Sequence, residues 1–389
     1  MMGLSVDQYG EIQRGQAPVV VLLGGPGEAA ESVLKVDQMR EMIEVLSRST
    51  VVFVVDQRGC GKSEPHWPKV PGPRSQDFFA SEENAAAALV QQAVLQREQM
   101  PEWFSASQIS PLQSAHDLRC LAGHFDFQKV ALLGYSYGTH LAMAAMKVAP
   151  SLFERIVLCG CEGPDQTFKR PAQFQGQISK LSAILGRKID EDIKNATQTV
   201  GEYHTFGLHW ILATWLGVRP RLARVPGLLQ SIISGDTTQF QKATEGFMKM
   251  LDNRPPTFWL CDSASGATLA RAEHIKAEAT KCPIGAASNA CVRQVGAAWG
   301  QCDLGDAYRQ PVEAPCPTLV LTGSMDPFTP SENVATAFKN ASEIHHKVIK
   351  NATHTDLLTG HAVQKCVAQF LLEGKIEPGE LEVPPIDWE

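Results

Sequence analysis

The five residues Gly134-Tyr-Ser-Tyr-Gly138 constrain the fold of this 389-residue chain more than any other stretch. A short apolar run, 130–133, precedes them, and a helix-forming segment, 139–148, follows them. Glycine has no Cβ, so it tolerates the tight turn and the close helix packing that such a junction needs. The pattern therefore predicts a strand–turn–helix unit that presents the hydroxyl of Ser136 at the end of a strand.

Five further apolar runs have the length and composition of buried strands. With the run before Ser136, the predicted strands are 18–23, 50–55, 130–133, 154–159, 317–322 and 344–349. Predicted helices separate them, at 29–48, 81–100, 111–125, 138–149, 330–340 and 359–373. Because most runs are continuously apolar and helices intervene, this order predicts an α/β fold with a mostly parallel, doubly wound sheet.

The alternation of strands and helices stops between residues 160 and 315. That stretch has mainly helical patterns and holds four of the seven tryptophans, for which core packing is the favoured use. We therefore predict a large helical cap, inserted after the strand that ends near Cys159. The predicted domains are 1–160 (core, first part), 161–315 (cap) and 316–389 (core, second part). The proline-containing end, 374–389, predicts an extended tail.

Charge and hydropathy limit the partners of the chain. The net charge is −7 and lysines and arginines form no block, which disfavours nucleic acid and anionic membranes as partners. No apolar run approaches the roughly 18 residues of a membrane helix. The polar segment 1–16 lacks the pattern of a signal peptide, so the expectation is a cytoplasmic protein. The alternative is a periplasmic or secreted protein whose signal has been removed, and the oligomeric state is open.

Ten cysteines are present, and no two of them form a C-x-x-C metal pair. Cys159 and Cys161 stand at a predicted strand end, where buried thiols are the expectation. Four others fall in a loop-rich stretch and leave two alternatives open, disulfides in an oxidising compartment or free thiols. They are Cys261, Cys282, Cys291 and Cys302.

Two loops supply the groups that would activate Ser136. A serine hydroxyl needs a neighbouring base, and the base needs a third group that fixes its tautomer. Such groups lie on loops at the carboxyl ends of parallel strands, with the acid before the base in the chain. The loop after strand 317–322 has one carboxylate, Asp326, and the loop after strand 344–349 contains His354. We predict Ser136 as nucleophile, Asp326 as orienting acid and His354 as base, against helix capping for Asp326 and a structural role for His354.

The glycine loop Gly24-Gly-Pro-Gly27 ends the first predicted strand. Backbone free of side chains can approach a reacting carbonyl closely. We predict the N–H groups of Gly25 and Tyr137 as donors to an oxyanion. A phosphate-binding loop is the alternative, but neither G-x-G-x-x-G nor a P-loop lysine is present in this loop. The predicted chemistry requires no metal and no cofactor.

Three motifs, at 24–27, 56–63 and 134–138, resemble the proline iminopeptidase group of α/β-hydrolases, and its tripeptidyl aminopeptidase branch most. The loop around Asp326, within 317–330, is also similar to that of the family. The resemblance implies an α/β-hydrolase fold and a serine peptidase that releases residues or short peptides from a free amino terminus. The chain departs from the family pattern in three respects. Leu23 stands where a histidine usually precedes the glycine loop, and His354 lies between Thr353 and Thr355 where the family often has glycines. The segment before the first predicted strand is also short for the leading strands of the family.

The identity of the substrate is the open question in this interpretation. A small peptide is favoured, and the alternative is a carboxylic ester hydrolase with the same three groups. A third alternative, an inactive binding protein, is disfavoured because the full set of groups is present. An aminopeptidase must hold an ammonium group, for which a carboxylate is suited. The candidates, each of which is individually expected to be a surface charge, are Glu28, Glu162, Asp165, Glu245 and Asp262.

Overall fold

The computed structural model describes residues 2–13, 15–72, 75–202, 204–376 and 378–389. Within these ranges one sheet of eight strands has the order β1-β3-β2-β4-β5-β6-β7-β8. β1 pairs antiparallel with β3, and the other neighbouring strands pair in parallel. The strands are β1 (Val6–Tyr9), β2 (Val19–Leu22), β3 (Val52–Val55), β4 (Val130–Tyr135), β5 (Phe153–Cys159), β6 (Thr318–Gly323), β7 (His345–Lys350) and β8 (Leu381–Glu382).

All six predicted strands are confirmed, with bounds that shift by one or two residues. The outermost strands β1 and β8 escaped prediction for different reasons. β1 reads Val-Asp-Gln-Tyr and is only partly buried at a sheet edge, so its apolar signal is weak. β8 has two residues and lies within the predicted tail, which is therefore extended but not wholly outside the sheet.

Sixteen α-helices occur in the described ranges, and none of them has the length and apolar character to cross a bilayer. They are α1 (Ala30–Val33), α2 (Asp37–Ser47), α3 (Glu82–Arg97), α4 (Pro111–His124), α5 (Tyr137–Val148), α6 (Pro171–Leu185), α7 (Ile189–Val200), α8 (Thr205–Trp215), α9 (Arg219–Leu222), α10 (Val225–Ile233), α11 (Thr238–Asn253), α12 (Pro256–Ser265), α13 (Leu269–Ala279), α14 (Val292–Trp299), α15 (Asn333–Ala337) and α16 (His361–Glu373).

Two predicted helices were wrong in extent. The helix predicted at 29–48 is divided into α1 and α2, because Val36 between them has an extended backbone. The helix predicted at 330–340 is reduced to α15. Phe338 leaves the helix to form a bridge with Val312, and Lys339 donates its N–H to the Val312 carbonyl at 2.8 Å.

The two faces of the sheet are both covered, which explains the continuous apolar runs. Val19 and Val21 of β2 pack into a cluster with helices α2 and α16. Val20 and Leu22 point to the opposite face and pack with helices α4 and α5. Because neighbouring side chains of one strand enter different cores, a polar residue at either position would be buried.

Helices α6–α14 lie between β5 and β6, and we call them the cap. They form a third apolar cluster that includes Trp210, Trp259 and Trp299, as the packing prediction requires. Tyr137, the first residue of α5, belongs to the same cluster, so the cap packs on the core next to Ser136. The domain boundaries at 160 and 315 stay a prediction.

The cysteines, all ten of which lie in the described ranges, are free thiols. Of the two alternatives for Cys261, Cys282, Cys291 and Cys302, the structure therefore has the free thiols. Cys159 and Cys161 are buried, as expected. Burial raises the thiol pKa of both residues, because the thiolate loses its hydration.

Candidate active site

Ser136 occupies a strained turn between β4 and α5. Its backbone has φ 55° and ψ −123°, a conformation that costs an L-residue energy and persists where the surroundings enforce it. Here the Ser136 N–H donates to the Cys159 carbonyl at 2.8 Å, and the Ser136 carbonyl accepts the Thr139 N–H at 2.8 Å. The turn is thus fixed from both sides, and it confirms the predicted strand–turn–helix unit.

The glycines on each side of Ser136 are required by space. A Cβ on Gly138 would lie 2.0 Å from the carbonyl oxygen of Leu22 in the neighbouring strand β2. A Cβ on Gly134 would lie 2.8 Å from the Gly138 carbonyl oxygen. Both obstacles are backbone atoms and cannot rotate away, so the helix can approach the sheet this closely only when both positions are glycine.

The structure brings the three predicted catalytic residues together. Ser136 Oγ lies 2.7 Å from His354 Nε2, and His354 Nδ1 lies 2.8 Å from Asp326 Oδ2. Both distances are within hydrogen-bond range. Their positions follow from topology, because Ser136, Asp326 and His354 follow the carboxyl ends of the parallel strands β4, β6 and β7.

The two oxygens of the Asp326 carboxylate have separate roles. Oδ1 accepts the N–H groups of Phe328 at 2.8 Å and Thr329 at 3.1 Å, which are loop residues. The helix-capping alternative is therefore wrong, because α15 begins only at Asn333 and has no side-chain cap. Oδ2 faces His354 and accepts the Thr329 hydroxyl at 2.6 Å. Burial alone would raise the pKa of Asp326, but the His354 charge and these hydrogen bonds lower it below its usual value. The carboxyl is therefore held in its ionised form.

Sequence reasoning missed two residues that hold this arrangement. The Thr329 hydroxyl lies 3.1 Å from His354 Nδ1 as well as next to Asp326. The sequence does indicate this contact, because Asp and Thr side chains a few residues apart in a loop often form hydrogen bonds that stabilise a turn. Tyr135 donates its hydroxyl to the His354 carbonyl at 2.7 Å, and no local pattern indicates this contact between β4 and the loop after β7.

The glycine loop after β2 reaches Ser136. A Cβ on Gly24 would lie 3.0 Å from Ser136 Cβ, so the backbone contacts Ser136 directly. Gly25 has φ +104°, a region that favours glycine. Tyr137 begins α5, where N–H groups have no acceptor within the helix. The roles of Gly25 and Tyr137 as oxyanion donors stay predictions, and this close approach supports them.

One candidate carboxylate, Glu28, lies beside Ser136. The point where a Gly24 Cβ would stand is 3.0 Å from Glu28 Oε2 and 3.0 Å from Ser136 Cβ. Solvent reaches the Glu28 side chain, but enough protein surrounds it that lost hydration raises its pKa. The His354 charge and the Gly24 N–H oppose this shift without cancelling it. Glu28 is thus a carboxylate in electrostatic contact with His354.

The other four candidate carboxylates have different surroundings. Glu162 is buried in an ion pair with Lys169, and Asp165 accepts the N–H and hydroxyl of Thr268 at 2.8 and 2.7 Å. Glu245 is exposed on α11. Burial and the charge of Glu162 raise the pKa of Asp262 well above its usual range, which favours its neutral form. Burial raises the pKa of both Asp262 and Glu28, so Glu28 is preferred for its position beside Ser136.

The segment 56–63 holds the glycine loop and α4 in place through side-chain hydrogen bonds. Asp56 accepts the Ala30 N–H at 2.7 Å, after the glycine loop. Arg58 pairs with a carboxylate, because its Nε and Nη2 donate to the two oxygens of Asp117 at 2.6 Å each. Two parallel hydrogen bonds fix the guanidinium plane. The turn after β3 is thereby attached to α4.

The chain belongs to the α/β-hydrolase fold family, whose model matches residues 17–363. This agrees with the sheet order and the strained serine turn, and it confirms the predicted fold class. No curated protein matches the sequence. The narrower likeness to proline iminopeptidases is not supported by these comparisons.

Several solved structures have a similar shape at low sequence identity. An esterase from Exiguobacterium antarcticum is 14% identical, with a TM-score of 0.46 over 95% of this chain and 96% of that one. A thermophilic esterase from Thermogutta terrifontis is 16% identical, with a TM-score of 0.44 over 95% and 93%. An α/β-hydrolase from a deep-sea metagenome library is 13% identical, with a TM-score of 0.45 over 97% and 96%. Scores this low carry no argument about substrate.

Proposed function

We propose that this α/β-hydrolase is a serine hydrolase that works through an acyl-enzyme and acts as an aminopeptidase on short peptides. The observation that carries the proposal is the position of His354, 2.7 Å from Ser136 Oγ and 2.8 Å from Asp326 Oδ2. This is the geometry in which a base activates a serine and an acid fixes the base. The proline iminopeptidase or tripeptidyl aminopeptidase type is the one that the motifs resemble.

Each group has one task in the proposed mechanism. Ser136 Oγ attacks the acyl carbonyl while His354 Nε2 accepts its proton. Asp326 orients the imidazole and stabilises its charged form. The N–H groups of Gly25 and Tyr137 bind the oxyanion. His354 then protonates the leaving amine, and a water molecule repeats the sequence to release the acid.

Glu28 supports the peptidase form of this proposal. An aminopeptidase that releases a single residue cleaves the first peptide bond, one residue from the free amino terminus. The ammonium group therefore needs a partner near the nucleophile. Glu28 is next to Ser136 across Gly24 and is exposed to solvent. A carboxylate–ammonium hydrogen bond contributes about 1.5–3 kcal/mol, which corresponds to about a 10- to 100-fold preference for free over blocked amino termini.

A matched substrate panel tests this proposal. Amino-acid amides and short peptide amides are compared with their N-acetylated forms and with p-nitrophenyl esters, for the wild type and Glu28→Gln. We expect the wild type to prefer free amino termini in kcat/KM, and Glu28→Gln to lose most of that preference. Glu245→Gln, which removes an exposed carboxylate of the cap, is the matched control and should keep the preference.

The same panel identifies the ester hydrolase alternative. Cleavage of esters alone, with blocked and free forms accepted equally, would remove the peptidase proposal and leave the acyl-enzyme mechanism in place. If the preference for free amino termini persists in Glu28→Gln, a carboxylate other than Glu28 binds the ammonium group.

A further inference from the structure

A cavity of about 480 Å³ opens in the cap, between α8 and α9 on one side and α11 on the other. We call it the cationic groove. Both apolar and cationic side chains line it. The apolar residues are Trp215, Phe247 and Met250, and the cationic residues are Arg221, Arg224 and Lys242.

The first wall of the cationic groove leads to the catalytic base. Trp215 ends α8, and two residues later the carbonyl of Gly217 accepts the N–H of His354 at 3.0 Å. The ring of Phe328, two residues after Asp326, packs edge-on against the His354 ring, with centroids 5.3 Å apart. The apolar part of this wall is therefore attached to the loop that holds His354.

The second wall leads to the glycine loop. Met250 lies near the end of α11, and its sulfur contacts Arg254 Nη2 at 3.8 Å. The next residue, Pro255, has its Cγ 2.6 Å from the point where a Cβ on Gly27 would stand. Both walls of the groove are thus connected to loops that carry the candidate active site.

The cations of the groove have few internal partners. In the described part of the chain, the Arg221 guanidinium and the Lys242 ammonium make no hydrogen bond or ion pair. The pKa of the exposed Asp236 is lowered mainly by its hydrogen bonds with Thr238, and the Lys242 charge contributes least. Arg224 Nε donates to the Glu389 side chain at 3.1 Å, so a carboxylate already lies at the groove edge. Arg221 and Lys242 face the groove from opposite walls and are available to an anion from outside.

We propose that the cationic groove binds a carboxylate carried by the substrate at a distance from the scissile bond. This inference rests on the proposed function, because it takes one substrate to reach from Ser136 into the groove. Arginine donates two parallel hydrogen bonds to a carboxylate, and lysine adds a charge from the other side. The apolar residues of the groove would contact the uncharged part of the substrate. The carboxylate is a peptide carboxyl terminus or an acidic side chain.

Two pairs of short peptides with free amino termini test the inference and separate its two sources. One pair differs only in a carboxyl-terminal carboxylate or carboxamide. The other pair is amidated and differs in Glu or Gln at one position. We expect kcat/KM to be at least about 10-fold higher for the carboxylate member of one pair, mainly through KM, since one charge-assisted hydrogen bond is involved. The ratio should decrease as sodium chloride is raised.

Variants locate the effect in the groove. The double change Arg221→Gln and Lys242→Gln should bring the carboxylate-to-amide ratio close to one. Lys249→Gln is the matched control, because Lys249 lies on the same helix but lines a separate cavity beside Phe79. A ratio near one in the wild type, or a ratio that survives the double change, would overturn the inference.

A third pair of substrates keeps this test independent of the peptidase proposal. Two p-nitrophenyl esters are used whose acyl chains end in a carboxylate or in a carboxamide. If peptides are cleaved and neither peptide pair nor ester pair shows a preference, the groove inference fails and the peptidase proposal stands. If only esters are cleaved and their ratio depends on Arg221 and Lys242, the peptidase proposal fails and the groove inference stands.

Discussion

The sheet core and the helical cap differ in how their sequences encode the site. In the core, Ser136, Asp326 and His354 come from distant parts of the chain, yet each follows the carboxyl end of a parallel strand. The fold brings such ends together whatever the intervening sequence. In the cap, no comparable rule applies. The cationic groove exists because α8, α9 and α11 pack at particular angles, and those angles depend on side-chain shape.

This difference predicts different responses to mutation. Core positions next to Ser136 are limited by backbone contacts, so single atoms decide whether the turn forms. Exposed cap positions have free space and should tolerate change, with effects confined to substrate choice. Four substitutions test this contrast between core and cap, from the largest expected effect to the smallest.

His354→Ala should lower kcat by about 10⁴-fold or more and leave the fold intact, because it removes the base from Ser136. Steady-state kinetics and circular dichroism check both parts. His361→Ala, at the start of α16, is the matched control and should retain activity. Unchanged turnover in His354→Ala would show that His354 is not the base.

Gly138→Ala should destabilise the protein by about 3 kcal/mol or more, because its Cβ would stand 2.0 Å from the Leu22 carbonyl oxygen. Either α5 must move away from β2 or the turn at Ser136 must open, so activity should fall as well. Urea unfolding gives the stability change. A loss below the error of that measurement would show that the elbow is less constrained than its geometry indicates.

Thr329→Val should lower kcat about 10-fold and destabilise the protein by about 1 kcal/mol at neutral pH, since the valine cannot donate to Asp326. The folded-state pKa of Asp326 lies below its usual value, so its ionised form contributes stability above the unfolded pKa. That contribution is lost as pH falls through the folded pKa. The stability difference between variant and wild type should therefore shrink in acid, and a constant difference would contradict this role.

Gly176→Ala should stabilise the protein by about 0.5–1 kcal/mol and leave kinetics unchanged. Gly176 lies inside α6 of the cap, and a Cβ there would meet no atom within 4 Å. Alanine is the better helix former. The pair Gly138→Ala and Gly176→Ala thus makes the same chemical change in the core and in the cap, with opposite expected signs.

The core was predictable because its rules are local or topological. Strand 317–322 was recognised from its apolar run, and Asp326 was the only carboxylate in the loop that follows. Tyr135 could not be assigned to the His354 carbonyl, because that contact joins residues 219 positions apart. Glu28 was one of five candidates until the fold placed it across Gly24 from Ser136. The cap was predicted as helical, but its groove required the packing itself.

The central claim is that Ser136 is the nucleophile, and covalent labelling tests it most directly. The protein is treated with a fluorophosphonate, and the adduct is located by intact mass and peptide mapping. The account predicts one adduct, on Ser136, that disappears in Ser136→Ala and forms far more slowly in His354→Ala. An unlabelled wild type, or an adduct that persists in Ser136→Ala, would contradict it.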